Sequence, residues 1–130
     1  MAGIFAKIIS GDIPSYKIAE DENHYAFLDI NPLVKGHTLV IPKIEIDYIF
    51  DLDDTVLADL NVFAKKVAKG IEKVIPCKRV GLMVIGTEVP HAHIHLLPFQ
   101  TERIFDITRP KLKFTTEEFQ ATAKLIADQI

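Results

Sequence analysis

Three of the five histidines of this chain lie close together at alternate positions: His91, His93 and His95. The positions between and after them are apolar, namely Ala92, Ile94 and Leu96. Because side chains alternate between the two faces of a β-strand, this period of two predicts a strand on which the three imidazoles share one face, roughly 6.5–7 Å apart. A neutral imidazole can bind a metal, move a proton near neutral pH or attack an electrophile, so this row is well suited to chemistry.

Two other interpretations of the histidine row compete with catalysis. A solvent-exposed strand could carry histidines without any function, but solubility alone does not explain a row on one face backed by aliphatic residues. A metal site needs further ligands from elsewhere in the chain. The single cysteine, Cys77, forms no Cys-x-x-Cys pair, and His24 and His37 would have to converge from other elements. We interpret His24, next to Asn23, as a surface histidine in a turn.

The composition is that of an ordinary globular chain, with 48% hydrophobic and 25% charged residues. A length of 130 residues is enough to bury a core, so we expect one domain over residues 1–130. The formal charge of −3 argues against a nucleic-acid partner, whereas a small phosphorylated ligand needs only a few local donors. The single cysteine, the lack of a signal-peptide pattern and the lack of a long apolar run predict a cytoplasmic protein with no membrane partner.

The strands that position the histidines are predicted from alternating and β-branched stretches. They cover residues 16–20, 25–28, 37–42 and 79–85, in addition to the histidine strand itself. Polar residues 21–23 lie between the first two and indicate a hairpin. Within the stretch 79–85, the apolar run that follows Arg79 is typical of a buried strand.

Two amphipathic helices are predicted from apolar residues that recur every three or four positions. The main helix begins near Asp53 or Asp54 as the N-terminal cap and is ended by Pro76. The second helix follows a capping box formed by Thr115 and Glu118 near the end of the chain.

These elements together predict an α+β fold. We expect about five antiparallel strands, with the central amphipathic helix and the C-terminal helix covering one face. A short helical turn over residues 4–9 precedes the sheet, and residues 100–113 indicate no regular element. The histidines then lie on the other face, where a pocket is open to a ligand.

The histidine row resembles the signature of the histidine triad (HIT) family, His-φ-His-φ-His-φ-φ with φ apolar, and residues 91–97 read HAHIHLL. Three further blocks, residues 4–14, 26–32 and 36–43, are similar to the nucleotide-binding hydrolase (HINT-like) branch of this family. The blocks occur in the family's order, which is more specific than a lone triad. The galactose-1-phosphate uridylyltransferase branch typically has His-Pro-His-x-Gln, and His95 stands where that glutamine would be.

The resemblance implies a HIT-like, homodimeric enzyme that binds a purine nucleoside monophosphate moiety and cleaves it from a leaving group through a covalent nucleotidyl-histidine intermediate. By position, His93 is the nucleophile. His91 and His95 hold the phosphate oxygens and the histidine network, with His37 as the fourth histidine beside them. Asp29 matches the carboxylate that accepts the ribose hydroxyls. The apolar cleft for the base is matched by Ile4, Phe5, Ile8, Ile13, Phe27 and Ile30.

The turn before the triad, residues 86–89, departs from the family pattern. The well-studied branch has a longer loop with an asparagine and then Gly-Gln-Ser or Gly-Gln-Thr, whereas this chain has Thr87 and Glu88 at the last two positions. We expect the backbone amides of the turn, including those of Glu88 and Val89, to bind the nucleotide phosphate. The Glu88 carboxylate would repel a phosphoanion unless it turns outward. The departure predicts slow turnover or a cationic leaving group.

Gly3 and Ala6 occupy the positions at which many bacterial relatives carry zinc-binding cysteines, so we expect no metal and no other cofactor. Three hypotheses follow from the sequence. The first is a nucleoside phosphoramidate or dinucleoside polyphosphate hydrolase that works through His93. The second is a nucleotide-binding regulatory module with little turnover, and the third is a metal-dependent protein that uses the histidine row.

Overall fold

The computed structural model describes residues 2–130, which form one antiparallel sheet with three α-helices around it. The strands are β1 (Lys17–Glu20), β2 (His24–Leu28), β3 (Thr38–Pro42), β4 (Arg79–Met83) and β5 (Ile94–Phe99). They pair in the order β1-β2-β3-β5-β4. The helices are α1 (Ile4–Ser10), α2 (Asp54–Val74) and α3 (Thr116–Ala127). The predicted α+β class with a five-stranded antiparallel sheet is confirmed.

Helices α2 and α3 cover one face of the sheet, as predicted. The buried side of α2 carries apolar residues three or four positions apart, namely Leu60, Phe63, Ala64, Val67 and Ile71. These pack on Ala26, Val40 and Ile94, which lie opposite one another on β2, β3 and β5. Helix α3 begins at the predicted capping box, because Thr115 Oγ1 accepts the Glu118 N–H at 3.1 Å and Glu118 Oε1 accepts the Thr115 N–H at 2.9 Å. Asp53 is the N-terminal cap residue of α2, but its side chain makes no capping hydrogen bond.

The opposite face of the sheet carries a row of four residues, one from each of four neighbouring strands. Phe27 on β2 pairs with Leu39 on β3, Leu39 pairs with His95 on β5, and His95 pairs with Met83 on β4. Directly paired residues point to the same face. The row therefore places an imidazole beside apolar side chains on the face that α2 does not cover.

A strand is present within residues 79–85, as predicted, but the prediction that it is buried and extends to residue 85 is wrong. Strand β4 ends at Met83 and lies at the edge of the sheet, paired only with β5, and Leu82 is 53% exposed. On one side, the ring of Phe105 lies directly against β4 at Gly81. Only a glycine allows this approach, because a Cβ at this position would lie 2.2 Å from Phe105 Cζ. The apolar run indicates a strand but carries no information about how many neighbours the strand has.

The prediction that His24 is a surface histidine is also wrong. His24 is the first residue of β2, is only 6% exposed, and stacks on Phe63 of α2 with ring centroids 4.9 Å apart. Its Nδ1 lies 2.9 Å from Asp21 Oδ1, an atom that also accepts the backbone N–H groups of Asn23 and His24. The polar turn is present as predicted, but α2 covers the histidine that follows it.

None of the helices within residues 2–130 is long and apolar enough to span a membrane.

Candidate functional site

A cavity of about 330 Å³ opens on the face of the sheet that α2 leaves uncovered. The six residues predicted to form an apolar cleft all line it: Ile4, Phe5, Ile8, Ile13, Phe27 and Ile30. The polar part of the wall includes Asp29, His37, His93 and His95, and the turn before β5 contributes Glu88 and Val89. Of the site residues predicted from sequence, only His91 is absent from this lining.

The apolar wall is assembled by α1 against the sheet. Phe5 and Ile8 are buried on one side of this helix, and the Phe5 ring meets Phe27 edge-on, with centroids 5.5 Å apart. Phe5 also meets the ring of His93 edge-on at 5.2 Å. One phenyl ring thus connects the apolar wall to the histidine row.

His93 lines the cavity and keeps one ring nitrogen with a free lone pair. Its Nδ1 lies 2.7 Å from the backbone carbonyl oxygen of His91. A carbonyl can only accept a hydrogen bond, so Nδ1 carries the proton and Nε2 of the neutral ring is unprotonated. The ring is only 6% exposed and lies 4.9 Å from the ring of His95, between centroids. A lone pair in this position is suited to nucleophilic attack on a ligand in the cavity.

A second chain of hydrogen bonds fixes the tautomers of His37 and His95. The backbone N–H of Leu33 donates to His37 Nδ1 at 3.0 Å, so the proton of the neutral His37 ring is on Nε2. That Nε2 lies 2.9 Å from His95 Nδ1, which must therefore accept. The proton of the neutral His95 ring is then on Nε2, so His95 has a donor where His93 has a lone pair.

Burial keeps both of these rings neutral at pH 7. It lowers the pKa of His37 to about 3, with a smaller effect from the neighbouring His95, and it lowers the pKa of His95 to about 4. Burial raises the pKa of Asp29, an effect opposed mainly by the Asn31 N–H, which donates to Asp29 Oδ1 at 2.8 Å. Asp29 Oδ2 lies 3.5 Å from His37 Nε2 and is the carboxylate oxygen that does not bind Asn31.

His91 takes a different position from the one that the alternating pattern predicts. The predicted strand includes residue 91, whereas β5 begins at Ile94 and the chain bends before it. The His91 ring is 1% exposed, and its Nε2–H donates to the Pro42 carbonyl at 2.8 Å. Its Nδ1 is buried without a hydrogen-bond partner. The part of His91 that contacts His93 is the backbone carbonyl, while its ring lies behind the cavity wall beside Phe5.

Sequence reasoning missed several lining residues, and two of them, Ile107 and Lys111, lie in the stretch that indicated no regular element. The backbone N–H of Leu112 donates to the Pro32 carbonyl at 2.8 Å. This bond brings the segment against the turn that follows Asp29. No periodic pattern or motif marks the segment, so the sequence contains no signal that would have identified it.

Asp29, His37 and His95 each offer a ligand atom, and these atoms lie within 4.8 Å of one another. A metal needs an unprotonated nitrogen from each histidine. Both nitrogens of His37 are engaged, one by Leu33 and one by His95, so a metal would have to replace a hydrogen bond that the fold already makes. The arrangement favours a network of neutral imidazoles, and the absence of a metal stays a prediction.

The buried neutral histidines predict a loss of stability in acid. In the unfolded chain each ring takes up a proton below about pH 6.5, its ordinary pKa. In the folded chain His37 takes up this proton only below about pH 3 and His95 only below about pH 4. The free energy of unfolding therefore falls by at most about 1.4 kcal/mol per pH unit for each group. Above pH 6.5 this contribution is complete, and the raised pKa of Asp29 acts in the opposite sense in more acidic solution.

We expect the free energy of unfolding, measured by urea titration, to fall by roughly 2–4 kcal/mol between pH 7 and pH 5. The variant His37→Gln should show a smaller loss over the same range. Equal urea midpoints at pH 7 and pH 5 in the wild-type protein would contradict the neutral, buried state of these rings.

Comparison with known proteins agrees with this geometry. Residues 10–102 match the HIT domain family. The chain is 37% identical to an adenosine 5′-monophosphoramidase of Schizosaccharomyces pombe, and the match covers 100% of this chain and 99% of the relative. It is 35% identical to an uncharacterised HIT-like protein of Borreliella burgdorferi, and that match covers 98% of this chain and 97% of the relative. The crystal structure of a HIT-like protein from Bartonella henselae superposes with a TM-score of 0.86 at 32% identity, covering 98% of this chain and 96% of that one. With the histidines, the carboxylate and the apolar wall around one cavity, the chain belongs to the histidine triad (HIT) family, in its nucleotide-binding (HINT-like) branch.

Proposed function

We propose that this protein hydrolyses nucleoside 5′-phosphoramidates, with His93 as the nucleophile and a purine nucleoside as the moiety that it binds. The observation that carries the proposal is the 2.7 Å hydrogen bond from His93 Nδ1 to the His91 carbonyl, which leaves the Nε2 lone pair at the cavity. The activity named for the Schizosaccharomyces pombe relative, an adenosine 5′-monophosphoramidase, supports this substrate class.

The lining of the cavity supports a specific orientation of the nucleotide. The apolar wall built on α1 offers a site for the base, because a purine ring buries apolar surface there. Asp29 is adjacent to that wall and has one carboxylate oxygen free of Asn31, so it accepts the ribose hydroxyls. The 5′-phosphate then lies towards His93 and His95, near the amides of Glu88 and Val89.

The first chemical step transfers the nucleotidyl group to the enzyme. His93 Nε2 attacks the α-phosphorus, the new N–P bond forms, and the bond from phosphorus to the leaving nitrogen breaks with its electron pair on that nitrogen, which takes up a proton from solvent. A neutral imidazole attacks an anionic phosphoramidate without the charge repulsion that an anionic nucleophile would meet. The Nε2–H of His95 and the backbone amides donate to the phosphoryl oxygens, where negative charge is held in the transition state.

The second step restores the enzyme. The oxygen of a water molecule attacks phosphorus, the P–Nε2 bond breaks, and its electron pair returns to His93 as a lone pair. The water leaves a hydroxyl group on the phosphate and releases its other proton to solvent, which balances the proton that the amine took up in the first step. The products are a nucleoside monophosphate and a free amine.

A substrate panel tests this function against its alternatives. The purified protein is incubated with adenosine 5′-phosphoramidate, with a lysine conjugate of AMP, and with diadenosine tetraphosphate, and AMP release is measured. Release from the two phosphoramidates is expected, with the cationic lysine conjugate favoured by Glu88 in the lining. Faster release from the dinucleotide would favour the dinucleoside polyphosphate hydrolase. AMP binding without release from any compound would favour the regulatory module.

The role of Asp29 predicts a change of substrate preference in Asp29→Asn. The asparagine oxygen keeps the hydrogen bond to the Asn31 N–H, while the second acceptor becomes a donor. We expect KM for adenosine 5′-phosphoramidate to rise about tenfold, because one acceptor for the ribose is lost. KM for the 2′,3′-dideoxy analogue should change less than about twofold, since that analogue has no hydroxyl to lose a partner.

Glu88→Gln is the matched control for this prediction, because it also removes a negative charge from the cavity lining. It should not change the preference for the ribose over the dideoxyribose substrate. An equal rise of KM for both substrates in Asp29→Asn would contradict ribose binding by Asp29.

We also propose that the protein forms a homodimer, as the family resemblance implies. Strand β4 supports this because it pairs with only one neighbour and exposes Leu82, and an unpaired edge of this kind can pair with a second copy. A cytoplasmic location stays a prediction.

A further inference from the structure

The cavity that we propose binds a nucleotide has one fixed positive charge. Among the described residues that line it, Lys111 is the only lysine or arginine, and the other charged side chains are Asp29 and Glu88. His37 and His95 do not add positive charge near pH 7, because burial keeps both rings neutral. An anionic ligand therefore enters a cavity in which Lys111 has to offset two carboxylates.

Lys111 belongs to a segment with a defined conformation, residues 106–112, which we call the strap. Asp106 Oδ1 accepts the Thr108 N–H at 2.9 Å and the Thr108 hydroxyl at 2.6 Å. The Arg109 N–H donates to the Asp106 carbonyl at 3.1 Å, and the Leu112 N–H donates to Pro32 at 2.8 Å. The strap is thus folded on itself at one end and tied to the turn after Asp29 at the other.

The ammonium group of Lys111 is held by the strap. Its Nζ donates to the Ile107 carbonyl at 2.5 Å and to the Arg109 carbonyl at 3.0 Å. An ammonium group has three N–H donors, so one donor remains for a ligand. Both bonds are to neutral carbonyls and the structure shows no carboxylate paired with Lys111, so its charge is not cancelled by a direct ion pair. A cation that is held in a cavity wall without a direct ion pair is a binding element for an anion.

We propose that Lys111 binds a phosphate oxygen of the nucleotide and so makes the cavity select nucleotides over nucleosides. The inference rests on the proposed nucleotide function and adds to it a residue from the strap. Lys111 Nζ donates its third N–H to the phosphate, while the apolar wall and Asp29 bind the nucleoside part equally well with or without it. The phosphate then has a cation on the side of the strap and neutral donors on the side of the histidines.

The test compares the binding of AMP and of adenosine by isothermal titration calorimetry. Lys111→Met should weaken AMP binding about tenfold, because the exposed side chain of Lys111 makes one charge-assisted hydrogen bond that is lost. Adenosine binding should change less than twofold, and Lys111→Arg should keep AMP affinity within about threefold of the wild type. Raising the salt concentration should weaken AMP binding by the wild type more than by Lys111→Met, since screening acts on the charge that the variant lacks.

Lys113→Met is the matched control, because Lys113 is an exposed lysine just after the strap and does not line the cavity. It should leave AMP affinity unchanged. Unchanged AMP affinity in Lys111→Met would overturn the inference, and so would equal losses for AMP and adenosine, which would assign Lys111 to the folding of the strap. If AMP affinity does not depend on Lys111 but the protein hydrolyses phosphoramidates, only this inference is refuted. If AMP affinity depends on Lys111 but the protein hydrolyses none of the substrates, only the proposed hydrolase function is refuted.

Discussion

Replacing His93 by glycine is expected to lower kcat for adenosine 5′-phosphoramidate roughly a thousandfold or more while AMP binds within about threefold of the wild-type affinity. The reason is that the Nε2 lone pair makes the new bond to phosphorus, whereas the Nδ1 atoms of His37 and His95, which also line the cavity, already accept hydrogen bonds. His95 cannot take over this role, because its Nδ1 accepts from His37 and its Nε2 carries the proton.

The binding and turnover measurements on His93→Gly separate catalysis from folding. Far-UV circular dichroism and the urea midpoint check that the variant is folded, since the buried ring packs against Phe5. Added imidazole should restore part of the turnover, because the cavity left by the side chain can admit a free nucleophile. A variant that retains turnover, or that loses AMP binding as completely as turnover with the fold intact, would refute His93 as the nucleophile.

The second large effect is expected at His37, which acts as a positioning residue and does not touch the substrate. His37→Leu removes the donor to His95 Nδ1, so the His95 ring is free to carry its proton on Nδ1 and lose the donor that faces the phosphate. We expect kcat to fall about a hundredfold, the size of effect seen when one donor to a developing charge is lost. KM should change less than about threefold, since the ground-state contacts of the base and ribose remain.

His37→Gln is the matched variant, because its side-chain amide can donate near the position of the histidine Nε2. It should recover at least about tenfold of the kcat lost in His37→Leu. A purely structural role of His37 predicts instead that kcat follows the urea midpoint in both variants. Equal kcat in His37→Leu and His37→Gln would contradict control of the His95 tautomer by His37.

The architecture could be predicted from the sequence because two periodic patterns determine it. The three-to-four period of α2 and the alternating apolar residues of β5 both place their apolar side chains in the core between helix and sheet. The same alternation puts His93 and His95 on the opposite face. Twelve of the thirteen predicted site residues line the cavity. The alternation accounts for the two histidines, and the order of the motif blocks accounts for the others.

The errors arise where one element covers another, which a local pattern does not record. His24 follows a polar turn, and only the position of α2 explains its burial. The run at residues 80–85 is apolar, but nothing in it shows that β4 has a single neighbour. His91 lies two positions before His93, yet the chain bends there and turns its ring to the Pro42 carbonyl.

The chemistry of the site also depends on backbone atoms that no sequence motif names. The carbonyl of His91 fixes the tautomer of His93, and the amide of Leu33 fixes the tautomers of His37 and His95. The strap enters the cavity because of one backbone hydrogen bond to Pro32. Residue types alone therefore predict which imidazoles are present, but not which of their nitrogens carries a lone pair.

The attack by His93 is tested most directly by acid quenching a single turnover of adenosine 5′-phosphoramidate and measuring the mass of the intact protein, followed by peptide mapping. A transient species heavier by one adenylyl group is expected, with the added mass on the peptide that contains His93, and no such species is expected in His93→Gly. AMP release by the wild-type protein with no adduct at any quench time, or an adduct on a peptide that lacks His93, would contradict attack by His93.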